Sequence, residues 1–385
     1  MNYPIHSFPN IELRNYFGPP LANDPILSRR NFFYYASGRA ALYFALKTTK
    51  LPFGSKVLVP SFHCGVEVEA VLRAGYEVEY FKVDTDLTID FDALSLRVTK
   101  QTRVLVVIHY FGFPQDMTKV MQFCVDNNLF LIEDCAHALY SAYQGKWLGS
   151  FGAFGVYSLQ KTIGLPNGGG LLCNSPRFPS PPLGKEYFNL SLLKVTIRSI
   201  LEYKAKNKSL AGLVSREILN LYKNLSKNKK DISVTIEEDG THYYELPTHY
   251  YDHSISSLSK PLLKKDPYDG IIKTRRRNYI RMIKHLEDIP GVAIVYNQIN
   301  EGVCPLCCVV ALENRDRVAD EMSMMGVDPF VFGKFLHKSL SLSAYPDARY
   351  LSDHLLGLPI HHQLSEKDTE LVVETLKKTV KKNRR

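Results

Sequence analysis

Short runs of β-forming residues alternate with helical segments between Ala36 and Asn174, and this alternation constrains the fold more than any other feature of the sequence. Six runs have strand character, at residues 56–59, 77–83, 103–109, 129–133, 154–158 and 169–173. Residues 65–74 and 116–127 carry apolar side chains at three- and four-residue spacing, which is typical of helices. Repeated strand and helix units of this kind predict an α/β domain with a mainly parallel, open sheet.

Two changes of pattern follow this region. Residues 175–182 are rich in Pro and Ser, and residues 187–228 form two predicted amphipathic helices that are interrupted near Asn207. After Gly270 the sequence predicts helices at 273–286, 315–325 and 366–382, with strands at 292–296 and 307–312. We therefore expect three parts, which are a large α/β domain at 1–182, a basic helical insertion at 183–247 and a small C-terminal α+β domain at 248–385.

Composition excludes several classes of protein. No run approaches the ~18 uncharged apolar residues that a membrane-spanning helix needs, and residues 1–10 lack the basic and apolar pattern of a signal peptide. The chain has seven cysteines, an odd number that does not suit a secreted disulfide framework. Cys304, Cys307 and Cys308 have no matching second pair, so a buried strand is favoured there over a zinc site. We expect a cytoplasmic protein with reduced thiols and no metal.

The positive charge of the chain is concentrated in one segment. Residues 194–230 contain ten Lys or Arg against Glu202 and Glu217, a surplus of eight out of the net charge of nine. Such a segment on amphipathic helices suits contact with an anionic membrane or a phosphate-rich substrate. Alternatively, it is a solvated insertion whose apolar stripes pack on the parent domain. No specific nucleic acid binding is expected.

Two residues that follow predicted strands carry groups suited to catalysis. Asp134 ends the apolar run of the strand at 129–133, and open α/β sheets bind ligands at the carboxyl ends of their strands. A carboxylate there suits a ring nitrogen, a Mg²⁺ ion or a helix cap. Lys161 follows the strand at 154–158 and precedes the turn Asn167-Gly168-Gly169-Gly170. A lysine that leaves a buried strand suits covalent binding of a carbonyl compound, although an isolated lysine is more often an ordinary surface residue.

The segment Ser37-Gly38-Arg39 comes directly before a helical run that reaches Lys47. Backbone N–H groups at a helix N-terminus point outward and bind phosphate well. The same residues are also consistent with ordinary helix capping by Ser37.

Six motifs follow one another along the chain. They are Lys56-Val-Leu-Val-Pro60-Ser61-Phe62-His63, His109-Tyr-Phe-Gly112-Phe-Pro114-Gln-Asp116-Met117, Glu133-Asp134-Cys-Ala-His137-Ala, Gly145-Lys-Trp-Leu-Gly149-Ser-Phe-Gly152, Lys161 with its glycine turn, and Leu358-Pro359-Ile360-His361. In this order they resemble the DegT/StrS family of sugar aminotransferases, which depend on pyridoxal 5′-phosphate (PLP). The resemblance covers nearly the whole chain and implies PLP fold type I.

The resemblance implies a role for each matching residue. Lys161 would bind PLP covalently, Asp134 would pair with its pyridine nitrogen, and His137 would lie near its phenolic oxygen. The phosphate would be bound by Ser158, Gly38 and Arg39, and the ring would be covered by His63 or Phe62. The resemblance also implies a homodimer with active sites at the interface.

The chain departs from the family at four places. His137 stands where the family usually has Gln, and Asn167 replaces the customary Glu. Ser158 is two residues closer to Lys161 than usual. The family's Asn-x-Arg segment, which reaches the phosphate across the dimer interface, is represented by Tyr251-Asp252-His253-Ser254, so either His253 serves or that contact is missing.

By this resemblance the chain would transfer an amino group from glutamate to a nucleotide-linked keto-sugar. The product would be used to build a surface polysaccharide or related glycoconjugate. A PLP-dependent sugar dehydratase of the same fold is an alternative. The dehydratases that this chain resembles look as if they carry histidine at the position of Lys161, so Lys161 argues against this alternative. A regulator that binds polyanions through its basic helices is the other alternative, and Asp134 and Lys161 would have no purpose in such a protein.

Overall fold

The computed structural model describes residues 4–20, 23–206, 209–225, 234–236, 242–244 and 251–383. Its strands, numbered in chain order, are β1 (Phe32–Tyr35), β2 (Lys56–Pro60), β3 (Glu77–Phe81), β4 (Thr102–Ile108), β5 (Phe130–Asp134), β6 (Ala142–Tyr143), β7 (Lys146–Trp147), β8 (Phe154–Ser158), β9 (Gly169–Cys173), β10 (Lys185–Glu186), β11 (Val234–Ile236), β12 (His242–Tyr244), β13 (His253–Ser254), β14 (Val292–Ile294), β15 (Cys307–Leu312) and β16 (Leu355–Pro359).

Ten α-helices accompany these strands in the described residues. They are α1 (Gly38–Thr49), α2 (Val66–Ala74), α3 (Phe91–Ser95), α4 (Met117–Asp126), α5 (Leu190–Ala205), α6 (Leu210–Leu225), α7 (Tyr268–Leu286), α8 (Arg315–Met324), α9 (Pro346–His354) and α10 (Glu366–Asn383). No helix of this part of the chain is long and apolar enough to cross a membrane.

A nine-stranded sheet forms the centre of the molecule, in the order β10-β13-β1-β9-β8-β5-β4-β2-β3. Neighbouring strands from β3 to β8 run parallel, whereas β9 is antiparallel to both β8 and β1. The expected α/β architecture with a mainly parallel open sheet is confirmed. Parallel strands end at the same edge, so β2, β4, β5 and β8 bring their carboxyl ends together.

Helix α1 begins directly against this edge. The hydroxyl of Ser37 accepts a hydrogen bond from the Ala40 backbone N–H at 3.2 Å, which caps the first turn. The Ser37 carbonyl also lies so close to β9 that any Cβ at Gly169 would clash with it. The glycine turn of the sequence therefore allows α1 to approach the sheet closely.

The C-terminal part contains a second sheet of three antiparallel strands in the order β14-β15-β16, as predicted for residues 307–312 and in part for 292–296. Alternation along β15 directs Cys307 and Cys308 to opposite faces of the strand, and both are buried. Cys307 and Cys308 therefore do not present their thiols to a common site on one face of the strand.

Strands β10 and β13 extend the large sheet although they lie outside the predicted α/β domain. The short strands β1, β10 and β13 were not predicted, because two to four residues give too little periodicity to recognise. The division into three domains stays a prediction. Residues 207–208, 226–233, 237–241 and 245–247 of the predicted insertion, and 248–250 of the predicted C-terminal domain, lie outside the described residues.

The N-terminal segment joins three parts of the chain through His6. Its Nδ1 lies 2.8 Å from Oδ2 of Asp328, which follows α8, and its Nε2 lies 3.1 Å from Oε2 of Glu202 on α5. Burial alone lowers the pKa of His6, but the two carboxylates outweigh it and raise the pKa from 6.5 to about 9. His6 is therefore a charged bridge at neutral pH.

We expect this bridge to stabilise the fold by about 1–3 kcal/mol, less than the full pKa shift implies because Asp328 is partly exposed. The folded chain holds the proton more tightly than the unfolded chain, so the contribution is complete below pH 6.5 and is lost between pH 6.5 and about 9. Urea unfolding of the wild type and His6→Gln at pH 6 and pH 9.5 measures it, with exposed His285→Gln as the control. An equal cost of His6→Gln at both pH values contradicts the prediction.

Candidate active site

A cavity of about 200 Å³ opens at the carboxyl ends of the parallel strands. Six of the eight residues predicted for the site line it, and they come from α1, β5, the turn after β5, β8 and the turn after β8. They are Gly38, Arg39, Asp134, His137, Ser158 and Lys161. Segments more than 120 residues apart in sequence therefore meet at one place, which is the arrangement that open α/β sheets use for ligand binding.

Strand alternation at the end of β5 separates two neighbouring carboxylates. Glu133 is fully buried and accepts hydrogen bonds from the backbone N–H groups of Gly149, Phe151 and Gly152 at 2.8, 2.6 and 2.7 Å. Asp134 points to the other face and lines the cavity. Glu133 thus holds the loop at 149–152, whereas Asp134 is available to a ligand.

Glu133 also lies near His109 and Cys135, and the ligand atoms of these three buried residues lie within 4.8 Å of one another. The Glu133 carboxylate already accepts three backbone N–H groups, and Nδ1 of His109 accepts the Gln115 N–H at 3.2 Å. Burial raises the pKa of the Cys135 thiol well above its ordinary value. We assign this group to the structure of the core and not to a metal.

The Asp134 carboxylate is almost fully buried, and its Oδ1 accepts the Ala136 backbone N–H at 2.8 Å. Burial, together with the nearby charge of Glu67, raises its pKa from 3.8 to about 7. The Ala136 hydrogen bond and the Lys161 charge act in the opposite direction. A cationic N–H placed against Asp134 would relieve the cost of this buried charge, and a protonated pyridine nitrogen is such a group.

His137 is buried beside the cavity, with its ring stacked on Phe111 at 5.5 Å. Its Nδ1 accepts the Phe111 backbone N–H at 3.3 Å, so a neutral ring carries its hydrogen on Nε2. Burial, aided by the Lys161 charge, lowers the pKa of His137 well below 6.5 and keeps it neutral. A neutral donor of this kind suits the phenolic oxygen of PLP.

Lys161 ends the 3-10 turn that follows β8, and its carbonyl accepts a hydrogen bond from Nη2 of buried Arg275 at 3.3 Å. Its Nζ lies 5.4 Å from the centre of the Phe330 ring. Phe330 and Phe332, from the loop after α8, contact the His137 ring by their edges. The C-terminal part of the chain therefore closes the cavity beside the lysine.

The N-terminus of α1 supplies an anion site at the other side of the cavity. An α-helix gives its first N–H groups no internal acceptor, so those of Gly38 and Arg39 remain available after Ser37 caps Ala40. A Cβ at Gly38 would lie 3.3 Å from the Tyr157 carbonyl, which shows how closely α1 approaches β8 and Ser158. Nε of Arg39 is buried without a hydrogen-bond acceptor among the described residues. This set of donors fits a phosphate.

The other two predicted residues do not line the cavity. Phe62 and His63 are both fully buried, and they pack into the core next to the site. The Phe62 ring contacts Tyr110 and Phe332, whereas the His63 ring stacks on Tyr80 at 5.5 Å. The next residue, Cys64, lines the cavity instead. The structure therefore gives neither ring a contact with the space where a cofactor would bind.

Two cavity residues with ionisable side chains in this region, Cys64 and Glu67, were not among the predicted ones. Glu67, in the first turn of α2, is 3% exposed and lines the cavity. Its carboxylate accepts hydrogen bonds from the backbone N–H and the Sγ of Cys64, both at 3.2 Å. Burial, with Glu67 nearby, raises the pKa of the Cys64 thiol well above its ordinary value. Sequence patterns did not reveal Glu67, because Val66-Glu67-Val68-Glu69 has the appearance of an ordinary amphipathic helix.

Asn167 and His253, two positions at which the sequence departs from the family pattern, contact other parts of the fold. Oδ1 of Asn167 accepts the hydroxyls of Ser256 and Ser259, both at 2.7 Å, and so ties the glycine turn to the segment after β13. His253 lies on β13 with its ring edge-on to Tyr187. Its Nδ1 is buried without a hydrogen-bond partner among the described residues.

Residues 29–180 match the DegT/DnrJ/EryC1/StrS aminotransferase family. The chain is 30% identical to the GDP-perosamine synthase of Escherichia coli O157:H7 over 142 residues, which are 36% of this chain and 39% of that protein. The match thus spans about two fifths of that relative. The chain is also 24% identical to SpsC, a spore coat polysaccharide biosynthesis protein of Bacillus subtilis. This match extends over 366 residues, which are 89% of this chain and 83% of SpsC.

Solved aminotransferases share the fold of nearly the whole chain. Helicobacter pylori PseC, an aminotransferase of pseudoaminic acid biosynthesis, superposes with a TM-score of 0.68 at 14% identity, covering 99% of this chain and 100% of PseC. TlmJ from Streptoalloteichus hindustanus gives a TM-score of 0.65 at 18% identity, covering 92% and 87%. The expected aminotransferase fold is confirmed. Over residues 29–180, the chain is similar to the DegT/DnrJ/EryC1/StrS aminotransferase family.

Proposed function

We propose that the chain is a PLP-dependent aminotransferase that transfers an amino group from glutamate to a nucleotide-linked keto-sugar. The observation that carries this proposal is the cavity that brings Lys161, Asp134 and His137 together with the N-terminus of α1. A lysine amine, a buried carboxylate, a neutral imidazole donor and a phosphate cradle match the four polar parts of PLP. A regulator without catalysis would not need this combination.

PLP, when bound, supplies an electron sink for chemistry at the substrate carbon next to nitrogen. Asp134 would hold a proton on the pyridine nitrogen, which keeps the ring cationic. Lys161 would bind the cofactor covalently and, once released, would carry a proton to and from the substrate Cα through Nζ. His137 would donate from Nε2, and the α1 N–H groups, Arg39 and Ser158 would hold the phosphate in place.

The names of relatives support the substrate class. One relative of 24% identity over 353 residues, from Saccharopolyspora spinosa, is a dTDP-4-dehydro-2,3,6-trideoxy-D-glucose 4-aminotransferase, and two others are GDP-perosamine synthases. A relative from Streptomyces kanamyceticus takes its amino group from L-glutamine. Glutamate and glutamine are therefore the two donors to compare, and the amino sugar formed would enter a surface polysaccharide or related glycoconjugate.

The proposal includes a homodimer with its sites at the interface. The Tyr251 ring lies under the guanidinium groups of Arg39 and Arg73. Together with the buried Nδ1 of nearby His253, it places polar groups near the phosphate side of the site. These residues occupy the segment that resembles the family's interface contact.

We expect the purified chain with PLP to absorb near the visible wavelengths of a covalently bound cofactor, and glutamate to bleach this band. Lys161→Ala should lose the covalent attachment completely, whereas exposed Lys146→Ala should keep it. Borohydride reduction followed by peptide mapping identifies the lysine. A modified lysine other than Lys161 would sink the assignment, and an unchanged spectrum after both glutamate and glutamine would sink the proposed activity.

Asp134→Asn should bind PLP but lose roughly 10²-fold or more of its turnover, because an amide cannot hold the pyridinium proton. The same variant should stabilise the cofactor-free fold above pH 7, where the wild type buries a charge. Since burial raises the Asp134 pKa from 3.8 to about 7, protonation of the wild type removes this difference as the pH falls below 7. Turnover near the wild-type rate, or equal stabilities at pH 8, would contradict this role.

Glu67→Gln should lower the pKa of Asp134, because the Glu67 charge raises it in the wild type. We expect PLP binding to persist to a pH lower by roughly one unit. Equilibrium titration with PLP between pH 5 and 8 measures the shift. Glu69→Gln is the matched control, since Glu69 lies on the same helix but pairs with His337 and does not line the cavity. Identical pH profiles for wild type and Glu67→Gln would disprove the coupling.

A further inference from the structure

The two helices of the basic segment differ in how they pack. Helix α5 is anchored to the body of the protein along one face, which carries the buried residues Leu192, Thr196, Glu202 and Ala205. The backbone N–H of Ile11 donates to the Ser199 hydroxyl on this face at 2.8 Å, and Glu202 binds His6. For α5 the structure supports the interpretation of an insertion that packs on its parent.

Helix α6 turns its small residues inward and its large ones outward. Gly212 and Ser215 are buried, whereas Leu210, Leu213 and Val214 are 78%, 51% and 51% exposed. Ile218, one turn further along, is 44% exposed. The Arg216 guanidinium donates two hydrogen bonds to the Ala205 carbonyl at 2.9 and 2.8 Å, which fixes α6 on the end of α5. The apolar stripe of α6 is therefore held away from the core.

The exposed apolar side chains of the molecule are concentrated at this place. Nine of the seventeen large apolar side chains that are exposed in the described residues lie between residues 183 and 218. They include Val195 and Ile197 on the outer face of α5, next to exposed Lys194 and Arg198. On α6 the four exposed apolar residues recur at the spacing of one helix face, and an exposed apolar face is typical of an interaction site.

The charge of the segment decides between the candidate partners. Residues 194–230 carry a surplus of eight positive charges. A symmetric contact with a second copy would place two such segments face to face, since a two-fold interface uses the same surface of both subunits. A nucleic acid would attract the charges but offers its phosphates, not an apolar surface, to the stripe. An anionic lipid bilayer satisfies both features, because it accepts apolar side chains beneath a negatively charged surface.

We propose that α6 docks the protein on an anionic membrane, with the stripe of Leu210, Leu213, Val214 and Ile218 entering the lipid. The basic residues Lys194, Arg198 and Lys204 of α5 contact the headgroups. Helix α5 is the support that connects the docked helix to the catalytic body. The contact is independent of the chemistry proposed for the cavity.

Co-sedimentation of the full chain with phospholipid vesicles tests this docking. We expect binding to vesicles of phosphatidylcholine with phosphatidylglycerol to be at least about tenfold stronger than to phosphatidylcholine alone, and to weaken as salt is added. Lys194→Gln and Lys204→Gln should each reduce binding about fivefold. Leu213→Ser combined with Val214→Ser should reduce it roughly tenfold or more. The matched controls, exposed Lys47→Gln and Phe53→Ser, should have no effect.

Equal binding to both kinds of vesicle would overturn the proposal, as would controls that lose as much binding as the α6 variants. Sedimentation velocity without lipid gives a further outcome. If the Leu213 and Val214 substitutions change the oligomeric state, the stripe binds a second copy and the proposal is wrong. Amino transfer from glutamate, followed in the same samples without vesicles, should be unchanged in these variants, so failure of docking and failure of the proposed activity are distinguishable.

Discussion

The alternation of side chains at the end of β5 is the constraint on which the site depends. Two neighbouring acids leave this strand in opposite directions, and each would be costly in a dry interior without compensation. Three backbone N–H groups compensate Glu133, and in doing so they fix the loop at 149–152 against the sheet. Asp134 receives one backbone N–H and otherwise faces the cavity. The first acid stabilises the framework, and the second keeps the unsatisfied charge that a cationic ligand requires.

The surroundings of Asp134 make this demand stronger. Glu67 adds a second buried carboxylate, whereas His137 is kept neutral by burial and by the lysine charge. The positive groups at the cavity are Lys161 and Arg39. The Lys161 amine suits a carbonyl carbon, and Arg39 lies beside the α1 N–H groups that suit a phosphate. The cavity thus contains both acidic and basic groups. A ligand with a protonated ring nitrogen and a phosphate would complement both kinds of group at once.

The sequence predicted the parts of this molecule that repeat or that carry a strong periodicity. The strands at 154–158 and 169–173 match β8 and β9, and the break near Asn207 separates α5 from α6. The positions of Asp134 and Lys161 after parallel strands predicted that both lie at a common edge of the sheet. In the structure both line the cavity, together with the α1 N-terminus. Phe62 and His63 illustrate the limit of this reasoning, since a loop's sequence does not say which of three consecutive residues faces the cavity. Glu67 and Phe332 depend on tertiary packing, for which helical or loop sequence gives no signal.

The glycines of β9 have a consequence for reading mutational data on this protein. A side chain at Gly169 would collide with the Ser37 carbonyl, and one at Gly170 would collide with the Phe32 ring. Selection for folded protein alone would therefore remove variants at both positions, even if no cofactor were ever bound. Lys161, by contrast, is partly exposed, and its side chain supports no element of the fold by a hydrogen bond in the described structure. Protein abundance and activity, measured side by side in a library of variants, would distinguish residues of the turn that the fold requires from residues that only the reaction requires.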